Sequence, residues 1–309
     1  MKHNKTTMLG RFTKRTEQVK GLTAIFLCAL LWSTSGLLIK LIPWHPLVIS
    51  GSRSLVAFLF IFIVGIIKKP KKFGESRKLY TVLGALSYGA TMILFVLANK
   101  LTNSANVILL QYIAPVWAAL FGWLFIKEKP RKEQWIALGA VAVGLVIFFK
   151  DSVGLPAGNA ETDEKVKILL GNIIAVISGI TFALYSVFMR LEKDGRPEDT
   201  ILIAHLGTAL FCLPFFVVHP PTFSGAIALG SVFGLGVFQI GLASLLFAYG
   251  IRRVTAVQSM LTAVVEPVMN PVWVFLVTGE QPGPATVAGG TVILTAVVLS
   301  SIWNNRRIS

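Results

Sequence analysis

"TAVVEPVMNPVW", Thr262 to Trp273, lies inside a run of more than twenty apolar residues, yet it holds a carboxylate, two prolines and an asparagine. A helix needs about 20 apolar residues to cross a hydrocarbon layer of roughly 30 Å, and this run is long enough. Glu266 is then expensive, by about 2.5–3.5 kcal/mol on insertion scales, unless it faces a partner or a water-filled cavity. Pro267 and Pro271 lack amide donors and clash with the carbonyls of Ala263 and Pro267, so the helix is expected to break at both. In lipid the freed carbonyls need new partners, which places the segment against a cavity and not against acyl chains.

Blocks of this kind recur. Of 309 residues, 54% are hydrophobic and only 14% charged, and the charges are crowded into short clusters between long uncharged blocks. That is the profile of an all-α polytopic membrane protein. Ten transmembrane helices are predicted, at about 21–42, 46–67, 79–99, 104–126, 133–150, 168–190, 199–219, 226–250, 255–277 and 284–303. Membrane strands would instead read as alternating segments of about ten residues.

The net charge of +15 invites a nucleic-acid reading, and its placement removes it. With the N-terminus inside, twenty-three Lys and Arg fall on the inner side and five on the outer, with Arg53 inside a span. This asymmetry orients the chain with both ends in the cytoplasm. Residues 1–20 then form a basic, solvated cytoplasmic tail, and 304–309 a cytoplasmic C-terminus. Cys28 and Cys212 fall within spans as small apolar fillers.

The longest polar connection, residues 151–167, divides the chain into two sets of five spans, 21–150 and 168–303. At an offset of 152 residues Pro115 pairs with Pro267, Glu128 with Glu280, Phe95 with Phe247 and Gly84 with Gly236. Near the start of each half the offset relaxes to 150, pairing Gly21 with Gly171, Trp32 with Phe182 and Lys40 with Arg190. Halves with an odd number of spans cross the membrane in opposite senses, so the expected plan is two inverted five-helix repeats around a central cavity.

Glu266 and Arg53 are the ionisable candidates for substrate binding or coupling, and Glu266 could carry a proton. Pro115 frees the carbonyl of Gln111, so the fourth span is expected to break at the place equivalent to Pro267. Paired broken helices are a pointer to a midplane binding site. The remaining candidates are Trp32, Tyr88, Gln111, Tyr185, His205, Gln239 and Asn270, with Ser35, Tyr112, Trp117, Gln258 and Trp273 nearby. No HExxH, GxSxG, phosphate loop or Cys/His cluster is present, so neither an enzyme, a metal site nor a cofactor is expected.

Proline-bearing helices followed by Glu, "APVWAALFGWLFIKEK" (114–129) and "EPVMNPVWVFLVTGEQ" (266–281), close corresponding helices of the two halves. Together with "ALLW" (29–32), "SRSLVAFLF" (52–60) and the basic span ends "IK" (39–40) and "MR" (189–190), they resemble the EamA family of the drug/metabolite transporter superfamily. The resemblance covers nearly the whole chain. It implies a bacterial cytoplasmic-membrane transporter, commonly an exporter of amino acids or related small metabolites, working by alternating access. Trp32, Arg53, Pro115, Glu266 and Pro267 match recurring positions, whereas Ala114 stands opposite Glu266 and makes the site asymmetric. The expected partners are a small-molecule solute, membrane lipid and a proton as coupling ion, in a monomer or weak homodimer. The alternative is a passive facilitator, uniporter or uptake carrier in the same fold.

Overall fold

The computed structural model describes residues 2–67, 77–102, 104–150, 162–221, 225–279 and 283–306. Residues 151–161 of the linker, Glu280, and the side chains of residues 1–14, Lys40, Asn270 and Pro271 lie outside what it describes.

The described residues are helical and contain no strand. The first half holds α1 (Lys2–Trp32), α2 (Ser35–Lys40), α3 (Pro46–Ile67), α4 (Lys78–Leu101), α5 (Ser104–Gln111), α6 (Ala114–Phe121) and α7 (Lys132–Phe149), with a π-helical turn (Gly122–Ile126) after α6. The second holds α8 (Thr162–Leu191), α9 (Pro197–Val218), α10 (Gly225–Gly234), a π-helical segment (Leu235–Leu242), α11 (Ala243–Ile251), α12 (Ala256–Ala263), α13 (Val265–Thr278) and α14 (Pro284–Arg306).

Among the described residues, six stretches are long and apolar enough to cross a membrane: Pro46–Ile67, Lys78–Ala98, Val107–Ile126, Asp163–Leu191, Pro197–Val218 and Gly225–Ile251. Ala256–Met269 and Pro284–Ser300 are shorter apolar helices. The outer surface is apolar too, with Ile63 and Ile66 on α3, Phe211 and Val217 on α9 and Leu276 on α13 all exposed. Water would not tolerate such a surface, and lipid covers it at no cost.

Two segments read from the sequence as a solvated tail and a polar connection are helical in part. The basic tail is already part of α1 from Lys2, and α8 begins at Thr162, inside the polar linker. The segment predicted as the first span breaks at Ser33 and Thr34, between α1 and α2. Their hydroxyls donate to the carbonyls of Leu30 and Leu31, each at 2.7 Å, and so compete with the helical amide for those oxygens.

The segments predicted as the fourth and ninth spans break as the prolines require. Pro115 is the second residue of α6 and Pro267 the third of α13. In a first turn the amide has no helical acceptor, so proline's missing N–H costs little there. Pro271 corrects the expectation of a second break, because α13 runs through it to Thr278. Once the chain has broken at Val264 and restarted, the helix tolerates the single carbonyl that Pro271 leaves open.

Contacts between the halves come in matched pairs. Taking α3 as equivalent to α9, α4 to α10–α11 and α7 to α14, the packing of α4 on α8 is answered by that of α11 on α1. That of α4 on α9 is answered by the Leu235–Leu242 segment on α3, and that of α5 and α6 on α8 by α12 and α13 on α1. The α3–α9 and α7–α14 pairs map onto themselves. This is the pattern a two-fold relation between halves produces.

At the α7–α14 crossing a Cβ on Gly289 would meet the Phe148 backbone nitrogen at 2.3 Å. Gly289→Ala is therefore expected to cost about 1–3 kcal/mol by forcing two backbones apart. Gly139→Ala, where an added Cβ meets nothing within 4 Å, should stabilise by about 0.5–1 kcal/mol through helix propensity. Thermal unfolding in detergent measures both.

Where α1 emerges from the bundle, Glu17 accepts from Lys20 Nζ at 2.7 Å and from Arg253 Nε at 2.8 Å. The Lys20 and Arg253 hydrogen bonds hold its carboxyl below the ordinary 4.5. A folded value that is depressed gives a contribution present above 4.5 and lost as pH falls through the lower, folded value. Limited proteolysis of α1 should therefore stay constant from neutral pH down to about 4.5 and accelerate only below it.

Candidate functional site: a polar cavity between the halves

A cavity of ≈ 80 Å³ lies between the halves, lined by Trp32, Ser35, Arg53, Tyr88, Thr91, Met92, Phe95, Gln111, Phe182, Gln239, Ile240 and Glu266. That is room for roughly half a dozen waters. The helix irregularities border it. Trp32 and Ser35 flank the break in the first span, Gln111 ends α5, Glu266 opens α13 and Gln239 comes from the π-helical segment. A π turn displaces side chains from the ordinary helical register, which is why such turns recur at functional positions.

Six of the nine binding candidates chosen from the sequence meet here: Trp32, Arg53, Tyr88, Gln111, Gln239 and Glu266. Tyr185 and His205 stand behind the wall. Tyr185 stacks on Tyr88 at 4.3 Å between centroids, and His205 meets the Tyr88 ring edge-on at 5.5 Å. Ser244 links them, with its Oγ 3.2 Å from the Tyr88 hydroxyl and 3.4 Å from His205 Nε2. Both residues are fully buried, so they support the wall and do not touch cavity contents. The side chain of Asn270 lies outside the described residues.

Glu266 accepts a hydrogen bond from the Tyr112 hydroxyl, which reaches it from the break between α5 and α6. The interrupted helices of the two halves are thus tied to each other across the cavity. Arg53 Nη1 donates to Gln239 Oε1 at 3.5 Å, and Gln239 Nε2 donates to the Trp32 carbonyl at 3.4 Å. Glu266 and Arg53 share the cavity without forming an ion pair within 4.0 Å. Trp32 is wedged between Phe182 and Phe247, at 5.7 and 5.6 Å between centroids.

The sequence reading missed Thr91, Met92, Phe95, Phe182 and Ile240. The first three follow Tyr88 on α4 at spacings of three, four and seven, so a helical-face reading from Tyr88 would have found them. Thr91 Oγ1 lies 2.8 Å from Thr181 Oγ1 on α8, and Gln111 Nε2 donates to Ser178 Oγ at 2.9 Å. No group of three or more metal-ligating side chains occurs among the described residues.

An apolar helical exterior around a charged interior cavity defines a polytopic membrane protein with a polar centre. The chain belongs to the EamA-like transporter family, which matches it twice, over residues 19–150 and 169–302. It is similar to an uncharacterized transporter of Archaeoglobus fulgidus, 24% identical, covering 91% of this chain and 96% of that one. It is also similar to the riboflavin transporter ImpX of Fusobacterium nucleatum, 23% identical over 93% of this chain and 99% of the other. A solved crystal structure shares the fold, with a TM-score of 0.76 at 17% identity, over 94% of this chain and 99% of that one.

Proposed function

We propose that this transporter-family protein is a secondary active carrier of the bacterial cytoplasmic membrane that exports amino acids or related small metabolites by alternating access, with a proton as coupling ion. The observation that carries this reading is the cavity between the halves, in which Glu266 and Arg53 stand together unpaired with each other. A protonatable carboxylate at a solute site lets one cavity carry a proton and a solute in turn. A passive facilitator needs no such group, so Glu266 favours the coupled reading.

Ten spans, in two halves of opposite sense, underlie the proposal. The matched contacts between the halves support a two-fold relation between them, and an odd number of spans in each half would give the opposite sense. The charge asymmetry supports both termini in the cytoplasm. Rocking of one half against the other about the cavity would expose it to each side alternately.

Reconstitution in liposomes tests the reading. Amino-acid flux should follow an imposed pH gradient and collapse when a protonophore dissipates it. Flux indifferent to the gradient would make the protein a facilitator. If neither amino acids, amines nor acids moved, the transporter reading would fail.

A further inference from the structure

We infer that Arg53 is an anion subsite and that the solute of this cavity carries a single carboxylate on a small apolar body, an inference that rests on the transporter reading above. Arg53 is 6% exposed, and its one hydrogen bond among the described residues, to Gln239 Oε1, is long at 3.5 Å. Among the described residues its Nε is buried without a partner, and no carboxylate lies within 4.0 Å. A guanidinium has five donors. Burying it without a bonded counter-ion is costly, and Glu266, on the same cavity but beyond 4.0 Å, supplies none at contact, so a solute anion would recover that energy.

The cavity's chemistry narrows that counter-ion. A planar fork of N–H groups fits a carboxylate through two parallel bonds. Arg53 is the one cation among the lining residues, and Glu266 on the same cavity repels a dianion. A monoanion matches both. Gln239, held at its other end by the Trp32 carbonyl, keeps its oxygen toward Arg53 and so positions the fork. Met92, Phe95, Phe182 and Ile240 leave apolar wall for the rest of the solute, and the small volume keeps that body short.

The test uses the full chain in detergent and three probes of one shape: L-leucine, isocaproate, which lacks the amine, and isoamylamine, which lacks the carboxylate. Leucine and isocaproate should raise the unfolding temperature saturably, and isoamylamine should not. Arg53→Gln should weaken binding of both acids about thirtyfold or more, the loss that follows removal of one partner from a buried charge pair. Arg53→Lys, which keeps the charge and loses the fork, should fall between. Without ligand, Arg53→Met should unfold no earlier than the parent protein, because a buried cation with one long bond is replaced by a shorter, apolar and unbranched side chain.

Amine binding as tight as acid binding would overturn the subsite, and so would an absence of binding by either acid. Unchanged acid binding in Arg53→Gln, or a marked loss of stability in Arg53→Met, would do the same by making the residue structural. Liposome flux separates the two levels: movement of isoamylamine alone removes the carboxylate subsite and leaves a transporter, whereas no flux of any solute removes the transporter reading itself.

Discussion

Glu266→Gln is expected to leave the protein folded and to reduce gradient-driven flux on the order of a hundredfold, the scale of loss when a proton-transferring group is removed. Glutamine has the same shape and can still accept from the Tyr112 hydroxyl through its carbonyl oxygen, so the tie between the broken helices survives. It cannot take up or release a proton. Solute exchange at equal pH on both sides should therefore persist while accumulation against a gradient disappears. Removing an ionisable group from a membrane interior also carries no folding penalty, so the unfolding temperature should hold or rise. Tyr112→Phe is the companion measurement. It keeps the carboxylate and removes the hydrogen bond that the Tyr112 hydroxyl donates to it, so coupling should remain and only its pH profile should change. Gradient-driven accumulation that survives Glu266→Gln intact would sink proton coupling through this residue.

Much of the fold is legible because lipid imposes a coarse rule. A helix in hydrocarbon must be apolar for about 20 residues, and its flanking charges sort by side. Pro46–Ile67 therefore stands in the structure where hydropathy places it. What hydropathy cannot carry is local geometry. The π-helical turns at Gly122–Ile126 and Leu235–Leu242 leave no compositional mark, because the change from four-residue to five-residue hydrogen bonding depends on packing and not on residue type. The break at Ser33 and Thr34 was equally silent, since hydroxyls in membrane helices usually bond back to a carbonyl without ending the helix. Pro271 shows the opposite failure: proline signals a lost hydrogen bond, and whether the helix stops depends on its surroundings.

The site was legible as a set of residues and not as a set of contacts. A carboxylate and a guanidinium in apolar spans are conspicuous whatever they touch, so Glu266 and Arg53 stood out. Tyr112, 154 residues from Glu266 in the chain, is its partner through a contact that no spacing rule reaches. His205 lies at the repeat offset of 152 residues from Arg53, yet the structure sets it behind Tyr88. Equivalent register in two halves gives equivalent helix faces; it does not give equivalent side-chain partners.

Arg190→Met is expected to destabilise one end of the bundle by about 1–3 kcal/mol, with amides there exchanging about 5–150-fold faster. Arg190, in the last turn of α8, joins three segments from both halves. Its Nε donates to Glu128 Oε1 at 2.9 Å, and its Nη1 donates to the carbonyls of Ile251 and Arg252, each at 3.0 Å. Glu128 follows the π-helical turn of the first half, whereas the two carbonyls end α11 of the second. Beside them Arg252 is tied to Glu198 at 2.7 Å and to the Gly195 carbonyl at 3.0 Å. Most surface ion pairs contribute little, but here the side chains are only 12% and 22% exposed and the arginine also caps a helix. Methionine removes all three bonds while keeping the aliphatic bulk. Hydrogen exchange of residues 127–131 and 250–255 should show the change, with α3 and α9 unaffected. Exchanging the two charges, Glu128→Arg with Arg190→Glu, restores the ion pair but not the donors to α11, so recovery should be partial. A full recovery would mean that the ion pair alone holds this end, and none would mean that the α11 carbonyls do. If the halves separate here during transport, the same Arg190→Met substitution should also raise solute leak at equal pH, because the population open at this end rises by the factor the exchange rates report.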